Sequence, residues 1–176
     1  AYSGQVKIVM KDIADPFVMD VSGTILNPKK YFLNFEDRKM PAGALYDNHW
    51  SVTTYTNGNN NYAQSGYVDP YKLITPRLKV SADETMTFEV AKRSTSSKMT
   101  VYYSNDRENW TEARAIANSE LPSSTGTFKQ FTLSGVPAGE YYIAFESGYC
   151  YLDNVYGFEL VEVAHDAMVS AQELPV

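Results

Sequence analysis

The chain has 176 residues, enough for one domain with a hydrophobic core and too few for two full-sized domains. Its 15 Lys and Arg against 21 Asp and Glu give a net charge of −6, which repels nucleic acid and anionic lipid and excludes both as main partners. The single cysteine, Cys150, excludes an intrachain disulfide and a zinc site built from cysteines.

The sequence contains neither a candidate membrane-spanning helix nor a signal peptide. No apolar run approaches the roughly 18 residues that a membrane-spanning helix needs, so we expect no membrane insertion by this domain. The sequence begins AYSGQVKI, with neither an initiator methionine nor the apolar core of a signal peptide. We therefore expect either a mature chain or a piece of a longer one.

Alternation of apolar and polar residues predicts strands in the first half of the chain. Asp15-Pro16 separates the first two, and in the third Tyr31, Leu33 and Phe35 share one side. Residues 37–64 look like a long loop with one short strand. The predicted strands here span 5–13, 17–23, 31–36 and 51–53.

The second half carries clearer alternation, with turn residues between the runs. The stretch 111–118 is compatible with either a short helix or a strand. The other predicted strands span 71–80, 86–90, 99–103, 129–133, 141–146 and 150–161. Many short strands and no long helix predict an all-β fold, a jelly-roll β-sandwich of two antiparallel sheets.

A series of short motifs occurs in a fixed order between residues 35 and 155. They are Phe35-Glu36, Pro41-Ala42-Gly43 with Trp50, Ala63-Gln64-Ser65-Gly66, Leu73-Ile74-Thr75-Pro76, Val101-Tyr102-Tyr103-Ser104 with Trp110, Phe128 to Leu133, Ile143-Ala144-Phe145, and Leu152-Asp153-Asn154-Val155. The series resembles the cleaved-adhesin or choice-of-anchor-J domains of Bacteroidetes surface proteins, including the adhesin regions of gingipain-type proteases. That resemblance implies a galactose-binding-like jelly roll over residues 31–162, related to MAM and carbohydrate-binding modules.

The residues on either side of this domain are expected to belong to other parts of a longer protein. Residues 1–30 are interpreted as lead-in strands or the tail of a preceding domain. Residues 163–176 are interpreted as a linker or the start of a following domain. Neighbouring domains of the same chain are therefore expected partners.

The resemblance also implies a structural calcium ion, held by Glu36 and Asp153 with Asn154 beside them. A carboxylate among apolar neighbours needs a cation or several N–H donors, and calcium takes six to eight oxygens. The chain departs from the calcium-binding pattern in having Asn154 where a second Asp is typical, and in lacking an Asp-rich loop after Glu36. The alternative is that Glu36 and Asp153 pair with Arg38 or Arg77, or cap turns.

A mixture of aromatic and amide side chains marks the stretch from 46 to 71 as a candidate ligand-binding region. Flat rings stack on sugars while amides bond to hydroxyls. Trp50 is expected to be a core anchor instead. The candidate contact residues are Tyr55, Asn60, Tyr62, Tyr67 and Tyr71.

An enzyme is the competing class of function. Only His49 and His165 are present, so a Ser-His-Asp triad would have to use His49. Cys150 could pair with His49 as a nucleophile, but a lone cysteine in a strand is more often a small buried apolar residue. Carboxylate spacing leaves a glycosidase open. We predict no catalytic residues.

The sequence thus predicts a non-catalytic binding or adhesion module that is extracellular or on the bacterial outer surface. Its expected partner is a glycan or a host or extracellular protein. The alternatives are a carbohydrate-binding accessory domain of a secreted hydrolase or protease, and a structural spacer.

Overall fold

A computed structural model describes residues 2–8, 17–23, 26–54, 60–66 and 71–161. For the first two ranges it describes the backbone only. The chain divides into two compact units, residues 1–30 and 31–176. In the first unit, strands β1 (Tyr2–Ile8) and β2 (Phe17–Gly23) form an antiparallel hairpin in which Tyr2 is opposite Gly23 and Ile8 is opposite Phe17. The strand predicted at 5–13 begins earlier than expected, at Tyr2, and residues 9–13 lie outside the described ranges.

The second unit contains eleven described strands, all paired antiparallel where the register is defined. They are β3 (Lys30–Leu33), β4 (Trp50–Thr54), β5 (Asn61–Ser65), β6 (Tyr71–Ile74), β7 (Leu78–Val80), β8 (Met86–Lys92), β9 (Lys98–Ser104), β10 (Thr111–Ile116), β11 (Lys129–Leu133), β12 (Gly139–Gly148) and β13 (Cys150–Leu160).

These strands form a jelly-roll sandwich of two sheets. The first sheet has the order β6-β12-β9-β10, and the second has the order β4-β5-β13-β8-β11, with β3 also paired to β13. Strand β7 pairs with the start of β12 and with the end of β13, so it joins the two sheets along one side. The predicted all-β jelly-roll fold is confirmed.

The core lies between the two sheets and is filled by the apolar side of each alternating strand. Phe88 of the second sheet meets Phe145 of the first edge to face, with ring centroids 5.2 Å apart. Leu152, Val101 and Ile143 are fully buried in the same layer. Burial of such apolar side chains, each worth about 1.5–3 kcal/mol, is what drives these alternating segments to pair as a sandwich.

Strand β13 is irregular, and its irregularities shape the rest of the fold. The register against β8 shifts between Asp153 and Tyr156, where two residues face one and Asn154 has a positive φ of 48°. A second irregular step follows at Gly157, whose φ is 142°, after which β13 leaves β8 and pairs with β7. A Cβ on Gly157 would lie 2.6 Å from both the Met86 Cα and the Thr85 carbonyl oxygen.

The structure corrects three predicted elements. Residues 61–65, expected in a loop, form β5. The alternation signal missed this strand because the residues on one side of it, Asn61, Ala63 and Ser65, are buried but small or polar. The single strand expected at 71–80 is two strands separated around Pro76. The ambiguous stretch 111–118 forms strand β10 rather than a helix, and is followed by a 3-10 turn at Asn118–Glu120.

Across the described residues, no helix has the length and apolar composition needed to span a membrane.

The close approach at Gly157 predicts that Gly157→Ala lowers the free energy of unfolding by about 3 kcal/mol, from steric overlap with β8 and from the strained φ. Gly148→Ala is the matched control, because a Cβ there meets no atom within 4 Å. Urea unfolding of both variants tests this. Equal stabilities for the two variants would show that β13 does not make this tight crossing.

Candidate functional site

The bulge in β13 places a carboxylate in the interior of the second sheet. Asp153 is only 1% exposed. Its Oδ1 accepts a hydrogen bond from the backbone N–H of Asn154 at 2.8 Å, and its Oδ2 accepts one from Nδ2 of Asn60 at 3.3 Å. Asn154 has a positive φ at this point. These are neutral donors, so they satisfy the oxygens without neutralising the charge.

Two further carboxylates lie close to Asp153. Glu89 is its direct cross-strand neighbour on β8 and accepts Nδ2 of Asn154 at 2.9 Å. Burial, followed by the negative charges of Glu89 and Glu36, raises the pKa of Asp153 to about 7, against the lowering effect of its hydrogen bonds. Like charges directly opposite on paired strands destabilise a sheet, so this arrangement calls for a positive partner.

Glu36 reaches the same region from the segment after β3. Its backbone carbonyl and its Oε2 both accept Nδ2 of Asn61, at 3.4 and 3.2 Å, and its Oε1 is 3.5 Å from the Asn61 backbone nitrogen. Asn60, the preceding residue, bonds to Asp153. The structure therefore brings together the three residues predicted to hold a metal, Glu36, Asp153 and Asn154, and adds Glu89.

The alternative of ion pairing is not what the structure shows. Arg77 pairs with Glu140 at 3.4 Å, and within the described ranges neither Asp153 nor Glu36 forms an ion pair. Across those same ranges no three His, Cys, Asp or Glu side chains are close enough to make a metal site by themselves. The oxygen donors here suit calcium in kind, but a full shell would also need amide or carbonyl oxygens or water.

Of the five residues predicted to contact a ligand, the three that the structure describes, Asn60, Tyr62 and Tyr71, do not form one surface. Tyr62 is 3% exposed, with its ring 4.6 Å from that of Tyr151 and 5.3 Å from that of Phe128, so it has no ring face left for a sugar. Asn60 contributes to the acidic region instead. Tyr71 lies in a separate cleft, and Tyr55 and Tyr67 lie outside the described residues.

This cleft, of about 390 Å³, opens where β5 ends and where the segment before β4 meets the start of β6. Its position is fixed by Trp50, which is buried as predicted and donates its indole N–H to the Tyr71 carbonyl at 3.0 Å. Its lining includes Asn48, His49, Ser51, Gln64, Tyr71 and Arg93.

One wall of the cleft is a pair of stacked rings. The His49 imidazole lies parallel to the Tyr71 ring, with an angle of 3° and centroids 3.5 Å apart. Gly66 makes room for it, because a Cβ there would be 3.0 Å from the Cβ of His49. The backbone N–H of His49 donates to Asp47 Oδ1 at 2.9 Å, and its Nδ1 lies 3.2 Å from the same oxygen without forming a hydrogen bond. Gly66 and Asp47 thus flank His49 and leave its ring stacked on Tyr71.

The remaining walls are polar. Gln64 donates from Nε2 to Ser51 Oγ at 3.1 Å, which leaves its carbonyl oxygen as an acceptor. Asn48 is exposed. Arg93 donates from Nη1 to the Ser65 carbonyl at 2.6 Å, and its guanidinium lies 5.5 Å from the centre of the Tyr151 ring.

Sequence reasoning found part of this cleft. It singled out Tyr71, and it noted His49 only as a candidate base for catalysis. It missed Gln64, which stands in a segment expected to be a loop, and Arg93, which comes 22 positions after Tyr71 in the sequence. The pairing of β5, β13 and β8 brings these two residues to the same end of the sheet. The one local signal was the polar run Asp47 to His49 directly before a core tryptophan.

Cys150 has the surroundings of a structural residue. It is fully buried, as expected, with Sγ 3.3 Å from the Lys98 carbonyl, and burial raises the pKa of its thiol. A thiolate nucleophile needs the opposite shift.

No family model matches the chain, and no curated protein sequence does. Several solved structures do match the chain. The K1 cleaved adhesin domain of Lys-gingipain from Porphyromonas gingivalis is 24% identical, with a TM-score of 0.60 over 76% of this chain and 99% of that domain. The chain has the cleaved-adhesin fold. The K3 domain of Lys-gingipain from the same organism is 21% identical with a TM-score of 0.57, over 72% of this chain and 97% of that domain.

The K2 cleaved adhesin domain of Lys-gingipain shares the fold at 15% identity and a TM-score of 0.56, over 74% of this chain and 99% of that domain. Almost the whole of each adhesin domain is therefore matched by this chain. At these identities the likeness establishes the fold, and the resemblance stated from the sequence motifs agrees with it.

The buried carboxylate predicts an unusual pH dependence in calcium-free buffer. Because the folded-state pKa of Asp153 is raised to about 7 while its ordinary value is 3.8, the folded protein holds a proton that the unfolded chain releases. The contribution of Asp153 to stability should therefore fall as pH rises from about 4 to 7, and stay constant above that.

Asp153→Asn should remove this part of the pH dependence and make the protein more stable than wild type at pH 8 in the presence of chelator. Urea unfolding at several pH values measures both effects. Asp106→Asn is the control, because hydrogen bonds hold the pKa of that exposed turn carboxyl well below its usual range, a shift of opposite sign. An unchanged slope in Asp153→Asn would contradict the account.

Proposed function

We propose that this domain is an extracellular, non-catalytic glycan-binding module of a bacterial surface or secreted protein of the Bacteroidetes. The observation that carries the proposal is the cleft, where a stacked His49 and Tyr71 pair stands beside amide and hydroxyl groups. Aromatic walls combined with a few polar groups are the usual composition of a sugar site. The cleaved-adhesin fold supports the same class of function.

The cleft is proposed to bind its ligand without transforming it. Both serine hydroxyls near His49 are engaged elsewhere, Ser51 with Gln64 and Ser65 with Ser147 and Cys150. In the part of the chain that the structure describes, His49 forms no hydrogen bond with a hydroxyl or thiol. Attack by a serine or cysteine needs such a bond to a general base.

We further propose that calcium binds as a structural ion at the middle of the second sheet, the sheet that carries the cleft at its end. Asp153 and Glu36 would supply carboxylate oxygens and Asn154 an amide oxygen. The support is the buried negative charge of Asp153, which faces Glu89 and has no cationic partner within the described residues. A bound divalent cation would offset this charge and stabilise the folded state only.

Calcium at millimolar concentration should therefore raise the melting temperature relative to chelator, by several degrees for a domain of this size. Asp153→Asn and Glu36→Gln should each reduce this shift. Glu140→Gln, which removes only a surface partner of Arg77, should keep it. Differential scanning calorimetry measures the shifts, and an equal melting temperature with calcium and chelator would overturn the calcium proposal.

The glycan proposal predicts saturable binding to members of a glycan panel, lost on changing the ring pair. Tyr71→Ala or His49→Ala should weaken binding about tenfold, because a stacked ring contributes roughly 0.5–1.5 kcal/mol beyond its area and its loss also opens the wall. Tyr46→Ala is the matched control, since Tyr46 is 48% exposed and does not line the cleft.

Titration calorimetry measures the glycan affinity of wild type and variants, once thermal melting has shown that each variant is folded. Equal weakening by Tyr46→Ala would place the ligand elsewhere. Silence of the folded protein across a broad panel would favour the spacer alternative, and binding only to extracellular proteins would favour a protein partner.

A further inference from the structure

The cleft carries one permanent positive charge. Arg93 is the only Lys, Arg, Asp or Glu among the described residues that line it, although the whole chain has a net charge of −6. Asp47, whose carboxylate contacts His49, is not among the residues that line the cleft. A local positive charge on an acidic protein selects for anionic ligands.

Arg93 is also fixed in place before any ligand arrives. Its backbone N–H donates to the Tyr149 carbonyl at 2.9 Å, its Nη1 donates to the Ser65 carbonyl at 2.6 Å, and its guanidinium lies over Tyr151. A guanidinium held this way loses little conformational freedom on binding a ligand. The planar, forked donors of a guanidinium match the geometry of a carboxylate.

The rest of the cleft suits a sugar rather than a simple anion. The ring pair of His49 and Tyr71 offers an aromatic wall, and Asn48 and Gln64 offer amide groups that pair with hydroxyls. One ligand that needs all three features is a sugar bearing a carboxylate.

We propose that the cleft binds an acidic sugar residue, a uronic or sialic acid within an oligosaccharide, with its carboxylate toward Arg93. This rests on the glycan-binding function proposed above and names the ligand class of that site. Arg93 is then the specificity-determining residue, and the ring pair and amides supply the part of the affinity that does not depend on charge.

The test uses two matched pairs of probes with the full 176-residue chain. One pair is trigalacturonate and its methyl ester, and the other is sialyllactose and its methyl ester, so that within each pair esterification removes the charge and adds only methyl groups. Titration calorimetry should show at least one acid binding about tenfold or more tightly than its uncharged counterpart. The preference should weaken in high salt because the charge is partly exposed.

Three variants locate the effect. Arg93→Gln should abolish the preference for the acid, Arg93→Lys should retain part of it, and Arg107→Gln, on the other sheet beside Tyr142, should leave it unchanged. If Arg93→Gln lowers the melting temperature strongly, the wild-type comparison of acid with counterpart at low and high salt decides alone.

The outcomes separate the two levels of the proposal. Equal affinity for acid and counterpart, with loss on Tyr71→Ala, overturns the acidic-sugar inference and leaves the glycan function standing. No binding of either pair overturns the inference, and silence across the broader glycan panel overturns the function as well.

Discussion

The pairing of β13 between β5 and β8 is the constraint on which both candidate sites depend. At Tyr151 and Leu152 this strand is bonded to Gln64 and Ala63 on one side and to Ala91 and Val90 on the other. That single register brings Gln64, Tyr151 and Arg93 to one end of the sheet and Asp153 and Glu89 into its middle. A slip by one residue would exchange the two faces of the strand and destroy both arrangements.

The two sites make opposite use of charge. Asp153 is buried with neutral hydrogen-bond donors and lies opposite Glu89, which is costly for the fold unless a cation is bound, as proposed above. At the cleft, the Arg93 guanidinium donates to the Ser65 carbonyl and lies over the Tyr151 ring, and polar side chains line the opening. The first arrangement is proposed to act on stability and the second on recognition.

Much of the fold could be predicted from the sequence because strand alternation in β8, β9 and β12 is a local signal. The burial of Asp153 and Cys150 was equally accessible, since each stands among apolar neighbours, and Trp50 was expected in the core as a large aromatic anchor of a polar loop. Strand β5 could not be predicted in this way, because its inward positions are asparagine, alanine and serine. The burial of Tyr62 depends on Phe128 and Tyr151, which reach it only through tertiary packing.

The cleft was only partly predictable for the same reason. Its ring pair joins residues 22 positions apart, and its arginine comes from the end of a strand on the far side of β13. No sequence spacing encodes that meeting. The proposed class of ligand followed from composition, whereas the proposed binding place followed from sheet order.

The central claim, that the cleft is the recognition site, is tested most directly by amide chemical-shift mapping with an acidic oligosaccharide. The account predicts that the perturbed amides cluster at residues 48–51, 64–66 and 93, with smaller changes near Asp153. Perturbations confined to the outer face of the first sheet, around Tyr102 and Tyr142, would contradict it.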